Sequence, residues 1–233
     1  TDESNSAQVR AKTNALGTTG SSRSLPSVVS YAAWWVVLGT ILAVTVNTLP
    51  QRASWYLAVD QFGYLSFARD LRAGKLFHDW APAQALASRL PARADVLAQT
   101  YVYDHGRLYS RYAPGYPILL AGWTSLFGEG AAHVLNAYLF VALIALMVAF
   151  QRRLLRSRWR ALVGGCLFLL FPTYIDYWGR TIARDLSAHC LALLALYTIL
   201  PTRGRRLDRT HLGVAGLCIG FAASIRPDTV LYL

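Results

Sequence analysis

Asp60, in Val59-Asp60-Gln61-Phe62-Gly63-Tyr64, and Asp185, in Arg184-Asp185-Leu186-Ser187, each stand at the edge of a long apolar stretch. A carboxylate so placed can serve as a general base, or it can simply face the positive end of a helix dipole. For either acid alone the two readings weigh equally. Two acids on one surface, each at the mouth of an apolar bundle, favour a site, because acids at membrane depth are costly. Tyr64 follows Asp60 by one helical turn and shares its face. Arg226 precedes Pro227 and Asp228 within an otherwise apolar stretch, so a specific partner is expected for it, a carboxylate or an anionic ligand. Arg69, Arg111, Arg180 and Arg184 are further cations of the same side. On the segment around Arg69, Arg72 and Lys75 the bland reading is solvation or contact with anionic lipid.

Other chemistries find little support. His78, His105, His133 and His189 have no carboxylate or cysteine at a recognised ligand spacing, so the sequence names no metal ligand. Cys166, Cys190 and Cys218 are dispersed, odd in number and set within apolar runs, where cysteine packs as a small hydrophobe. There is no P-loop, dinucleotide fingerprint, nucleophile elbow or HExxH motif.

The elements that must position these residues follow from composition. Of 233 residues, 55% are hydrophobic and 15% charged, which leans away from a soluble domain and towards a membrane protein. The net charge of +11 does not indicate nucleic acid, because 12 of the 23 lysines and arginines lie in three segments flanking apolar runs. Residues 1–24, rich in Ser, Thr, Asn and Ala, cannot bury a core and read as a disordered cytoplasmic tail. The chain starts at Thr1 and ends at Leu233 inside an apolar run, and it is expected to be a fragment of a longer protein.

Apolar runs at 24–51, 130–151, 159–178, 186–202 and 210–225 predict an all-α, polytopic membrane domain over 25–233, with about five spans. The run 112–128 is interrupted early by Pro114, Gly115, Pro117 and Gly122. If it does not cross, the five arginines of 151–160 and the four of 202–210 both fall on the cytoplasmic side with the basic tail. It is therefore predicted to be a re-entrant or interfacial helix on the outer face.

This order leaves an outer loop from about 50 to 130, whose first 63 residues, 50–112, should carry structure of their own. Ala58–Phe77 has helical apolar spacing, with Gly74 as a stop, and predicts a helix along the membrane surface. Tyr101–Tyr109, with Asp-His-Gly between aromatic runs, predicts a small hairpin. Trp55, Tyr56, Trp80 and Trp178 read first as an interfacial belt and second as a sugar-stacking surface. Gly216 and Gly220 form a small-xxx-small pair that suits close helix packing.

The succession VDQFGYLSFARDL, YSRYAPGYPILLAGWTSLFG, a span, an arginine loop, a span and ARDLSAHCLALLALY resembles the GT-C class of membrane glycosyltransferases. The similarity is to the protein mannosyltransferase and lipid A aminoarabinose transferase-like branch, over about 27–233. It would make this chain the N-terminal part of such an enzyme. The resemblance implies a sugar donor carried on polyprenyl phosphate and an acceptor hydroxyl on a glycan, lipid or protein. It also implies transfer at the outer face of the plasma (inner) membrane. Asp60 matches the first acid of the family's acidic pair, while Gln61 replaces the second, so a divalent metal is left open without a firm ligand. Tyr112-Ala113-Pro114-Gly115-Tyr116-Pro117 matches the Tyr-Pro-Pro-Gly-Tyr segment, with Ala113 in place of one proline. By resemblance Arg111 would bind the carrier phosphate, and Asp185 matches the acid that opens the later span. The roles implied are Asp60 as base, Asp185 orienting the acceptor or supporting Asp60, and Tyr64, Tyr112, Arg111 and Arg226 at the substrate.

Two rival readings remain at this level. A transporter or lipid flippase would explain Arg226 and the glycines of the last run, and a non-catalytic relative would share the whole layout. The topology itself is testable with single cysteines in a chain whose native cysteines are replaced. Ser157→Cys and Thr202→Cys should react with an impermeant maleimide only from the cytoplasmic face, and His105→Cys only from the outer face. Labelling of Ser157→Cys from outside would mean that 112–128 crosses.

Overall fold

A computed structural model describes residues 25–52, 59–90, 100–155, 157–170, 181–200 and 208–228. The predicted tail 1–24, most of the second arginine loop, Arg180, Trp55, Tyr56 and Trp178 lie outside the described residues. The chain is mostly helical and divides into two compact units, 1–38 and 39–233, with the division inside the first helix. Among the described residues two stretches are long and apolar enough to cross a membrane, Val28–Thr48 and Glu129–Leu154.

Helix α1 is Leu25–Arg52. In the first unit it carries an edge-on aromatic group, with Trp34 and Trp35 at 4.7 Å and Tyr31 and Trp35 at 6.1 Å. Past the division, Thr45 and Thr48 return their hydroxyls to carbonyls one turn back, at 2.7 and 2.8 Å. That is how hydroxyl side chains are accommodated where water is scarce.

In the second unit the surface segment forms α2, Val59–Arg72. Its inner stripe of Tyr64, Leu65, Ala68 and Leu71 follows the helical period and enters the core. The helix ends just before the expected Gly74 stop, short of the Phe77 to which the helical spacing runs. Gly74 takes φ 72°, a left-handed stop, and Phe77–His78 becomes strand β1. After the short helix α3 (Ala81–Arg89), the predicted hairpin appears as β2 (Tyr101–Asp104) and β3 (Arg107–Ser110). His105 and Gly106 both have positive φ, 46° and 81°, so a two-residue turn of the primed kind closes the pair Asp104–Arg107. β1 adds antiparallel to β3, giving the order β1-β3-β2. His78 ties this sheet to α2. Its Nδ1 lies 2.9 Å from an Asp70 carboxylate oxygen, and its ring stacks on Tyr101 at 4.9 Å. Burial raises the Asp70 carboxyl above its ordinary range, with His78 opposing, and burial pushes the Tyr101 phenol up to about 12.

Helix α4 is Gly115–Phe127. Its prolines stand at the N-cap and in the first turn, where no backbone donor is needed, and Gly128 at φ 83° ends it. Its 13 residues extend about 20 Å, short of a perpendicular crossing. A 3-10 turn, Glu129–Val134, leads into the long α5, Leu135–Leu154. α6 (Arg158–Cys166) opens on a Ser157 cap and passes into a 3-10 turn at Leu167–Leu170; the remainder of the expected third run is outside the described residues. α7 is Asp185–Ile199 and α8 is Arg209–Ile225, apolar helices of 15 and 17 residues.

Two buried clusters hold these helices. One joins Tyr64, Leu65, Tyr116, Leu120, Leu135, Ile182, Ala188 and Ile225, and so binds α2, α4, α7 and α8 together near one end. The other packs Phe140, Leu143 and Ile144 of α5 against Leu186 and Cys190 of α7, with Leu42 of α1 at its edge. α5 and α6 meet backbone to backbone at Gly165. A Cβ there would stand 2.8 Å from the Val148 nitrogen and 2.9 Å from its Cα. Gly165→Ala should therefore destabilise the protein by about 1–3 kcal/mol. Gly122→Ala, in open space within α4, should be neutral or stabilising by up to about 1 kcal/mol. Heat-denaturation midpoints of the two variants in detergent check the contrast.

Candidate functional site

The site forms where four structural elements end together. α2 begins at Val59, α4 begins at Gly115, α7 begins at Asp185 and α8 finishes at Ile225. Gly115 makes the closest join. A Cβ on it would lie 2.6 Å from the Ser224 carbonyl carbon and 2.7 Å from Ile225 Cγ1. Glycine at this point of the Tyr-Ala-Pro-Gly-Tyr-Pro motif lets α4 touch the last turn of α8. Gly63 does the same on α2, since a Cβ there would meet the Tyr112 ring and stand 2.9 Å from Thr100 Cβ.

Asp60 lies exposed in the first turn of α2, and the Tyr112 hydroxyl donates to its Oδ1. An ionised carboxylate offers about four acceptor positions, of which Tyr112 takes one. Burial first, and then the bond to Asp60, push the Tyr112 phenol well above its ordinary value, while the Arg184 charge pulls it down. Tyr112 therefore acts as a hydrogen-bond donor at physiological pH. Its ring sits 4.5 Å from that of Tyr64, which in turn meets Tyr116 edge-on at 5.2 Å. Tyr64 is only 4% exposed. It supports the Tyr112 ring from below and does not face outward as a substrate contact would.

Asp185, the first residue of α7, meets Arg226. Nη1 of Arg226 donates to Asp185 Oδ1 at 2.5 Å, and its Nε donates to both oxygens of Asp228 at 2.8 and 2.9 Å. The side chains of Arg226 and Asp185 retain 31% and 22% of their exposure, so the pair is half-buried and open on one side. Arg226, by its hydrogen bond and charge, holds the Asp228 carboxyl below the usual carboxylate range, and Arg184 adds to this. The Arg184 charge is felt at both Tyr112 and Asp228, as the smallest influence on each. Asp185 is bonded to Arg226, and Asp60 to Tyr112; the structure records no direct bond between the two acids. Arg111 stands apart at the exit of β3, where its Nε donates to the Tyr101 carbonyl at 3.2 Å and its backbone to Thr100.

Beneath the charges lies a buried amide that the sequence reading passed over. Asn136, 1% exposed, accepts from the Tyr116 hydroxyl at 3.0 Å. Its Nδ2 donates to the carbonyls of Thr181 and Ala183, each at 2.7 Å. The signal was available in LNAYLFVALIALMVAF, where Asn136 is the one amide side chain in an apolar helix. Asp228 was legible only as a neighbour of Arg226, and Arg184 only as one of several cations of the same side.

Among the described residues no three His, Cys, Asp or Glu side chains converge as a metal site. Beside Asp60 the chain has Gln61, an amide in place of a second carboxylate. No protein-family model, curated protein or solved structure matches the chain.

The Arg226–Asp228 contact has a definite pH sign. A depressed carboxyl stabilises the fold above its ordinary value of about 4, and the contribution is lost as pH falls through the lowered value. Wild type should therefore melt above Asp228→Asn at pH 6, and the two midpoints should converge below about pH 4. A gap that is constant with pH would mean that the contribution is not electrostatic.

Proposed function

We propose that this chain is part of a multi-pass membrane glycosyltransferase that moves a sugar from a polyprenyl-phosphate carrier to an acceptor hydroxyl at the outer face. The observation that carries this reading is the segregation of charge along the helices. Asp60 with Tyr112, and Arg226 with Asp185 and Asp228, gather at one end. At the other end Arg153 reaches from α5 to the carbonyls of Tyr197 and Leu200, near the arginine-rich loops that positive-inside placement assigns to the cytoplasm. In this reading α1, α5, the α6 region, α7 and α8 all cross, and α4 stays re-entrant. The sheet and α2 lie on the outer surface.

The chemistry needs three things from the chain. A base must take the acceptor proton, and Asp60 is exposed, carries unfilled acceptor positions and is oriented by the Tyr112 hydroxyl. A cation must balance the phosphate as it leaves, and Arg226 and Arg184 stand on the same side, with Arg111 further out on the sheet. The cation must also be aimed, and Asp185 and Asp228 orient Arg226 through its Nη1 and Nε edges.

The acceptor oxygen attacks the anomeric carbon as its proton passes to Asp60. The bond from that carbon to the phosphate oxygen breaks, and its electron pair leaves with the phosphate. A single displacement of this kind inverts the anomeric centre, since no carboxylate attacks the sugar. The base faces water and the cations sit against the apolar bundle, which suits a hydrophilic acceptor and a lipid-borne donor.

Membranes containing the full-length protein, given a panel of labelled polyprenyl-phosphate sugars, test the reading. Wild type should transfer label to endogenous acceptor, and Asp60→Asn should lose about 10²–10⁴-fold in rate while remaining folded. Full activity in Asp60→Asn would remove the base from its role. Failure of folded wild type to transfer from any donor would shift the reading to a transporter or a non-catalytic relative.

A further inference from the structure

We infer that Asn136 is a positioning residue, the latch that fixes Arg184 and Asp185 against Arg226 and Tyr112. The segment 181–183 runs into α7 as irregular backbone, and Ile182 within it is buried. Carbonyls in such a segment have no helical partner, and in an apolar surrounding each must find a donor. Asn136 supplies both donors from a single amide, to Thr181 and Ala183. Its oxygen is held by the Tyr116 hydroxyl, which donates to it at 3.0 Å. The amide therefore has a fixed orientation, with Oδ1 towards α4 and Nδ2 towards 181–183.

The consequence is geometric. Tyr116 is four residues from Tyr112, whose hydroxyl orients Asp60. Ala183 immediately precedes Arg184 and Asp185. One buried amide thus sets the register between the two parts of the site, although it touches neither acid nor cation. An apolar side chain of the same size would fill the volume and remove three hydrogen bonds, two to carbonyls and one from a hydroxyl. The 181–183 segment would then shift to find other partners, carrying Asp185 away from Arg226.

This role rests on the transferase reading for its catalytic effect but not for its structural one, so two measurements are paired on the full-length protein. The first is a double-mutant cycle on heat-denaturation midpoints with Asp185→Asn, Arg226→Gln and the double variant. It is run in wild-type, Asn136→Ala and Leu143→Ala backgrounds. In the wild-type and Leu143→Ala backgrounds the double variant should fall by less than the sum of the single shifts. In the Asn136→Ala background the shifts should simply add. Coupling that persists undiminished with Asn136→Ala would overturn the latch. If Asn136→Ala does not fold, Tyr116→Phe, which keeps the ring and removes the hydroxyl, is read in the same way. The second measurement is transfer kinetics. Asn136→Ala should lower kcat about 10- to 100-fold, the scale of a small misplacement, with KM for the donor little changed. A KM effect alone would also overturn the positioning role. Absence of transfer in wild type leaves the cycle intact as a test, so the two failures are distinguishable.

Discussion

The ion pair between Arg226 and Asp185 organises everything around it. A guanidinium does not discharge at any pH a protein meets, so an arginine at the end of a 17-residue apolar helix must have counter-charge close by. Asp185 provides it from the first turn of α7, and Asp228 adds a second carboxylate from the same loop. Helix dipoles favour the arrangement. Arg226 follows the negative end of α8 and Asp185 stands at the positive end of α7, so each residue suits its own helix as well as its partner. The pair therefore fixes the axial register of the two helices, where apolar contacts alone would permit sliding. Once α8 is placed, its last turn receives Gly115 and with it the start of α4.

The same physical requirement is met at both ends of α5. At its start Asn136 satisfies carbonyls of the segment entering α7. At its finish Arg153 bonds the Tyr197 and Leu200 carbonyls where α7 ends, and its guanidinium lies 3.5 Å from the Tyr197 ring centre. The last carbonyls of a helix and the irregular backbone before one are the groups that an apolar bundle cannot leave open. α5 thus acts as a measure for α7, gripping it before its first residue and after its last. Between the grips the contact is apolar, through Phe140, Leu143 and Ile144 against Leu186 and Cys190.

Legibility in the sequence followed the range of the forces. Local signals were read well. The His-Gly turn gave the hairpin, the spacing of Tyr64, Leu65 and Ala68 gave α2, and the interrupted apolar run 112–128 was read as a helix, which the structure has at Gly115–Phe127. The stop at Gly74 was legible, while the pairing of Phe77–His78 with Tyr109–Leu108 is a long-range event that a helical pattern does not disclose. The partner of Arg226 was anticipated as a class, carboxylate or anion, but its identity depends on two helix ends meeting. Tyr64 was legible by position on the Asp60 face, yet its burial depends on Tyr112 and Tyr116 crossing it from 48 and 52 residues away. Asn136 was overlooked because a single amide in an apolar helix carries no motif, and its meaning appears only with Thr181 and Ala183 beside it.

Tyr112 is the point at which these constraints reach the exposed acid. Its hydroxyl holds Asp60, its ring rests on Tyr64 and across Gly63, and three residues on Gly115 makes the close approach to α8. A phenol that stays protonated gives the carboxylate a donor without competing for a proton, so Asp60 is oriented and remains able to accept another. The orientation is inherited from the core, because Tyr64 and Tyr116 are buried and cannot move without opening the cluster below. A small displacement of α8 relative to α4 would thus be felt at Asp60 through a chain of rigid contacts. The exposed carboxylate is thus oriented from the buried core while it stays open to water.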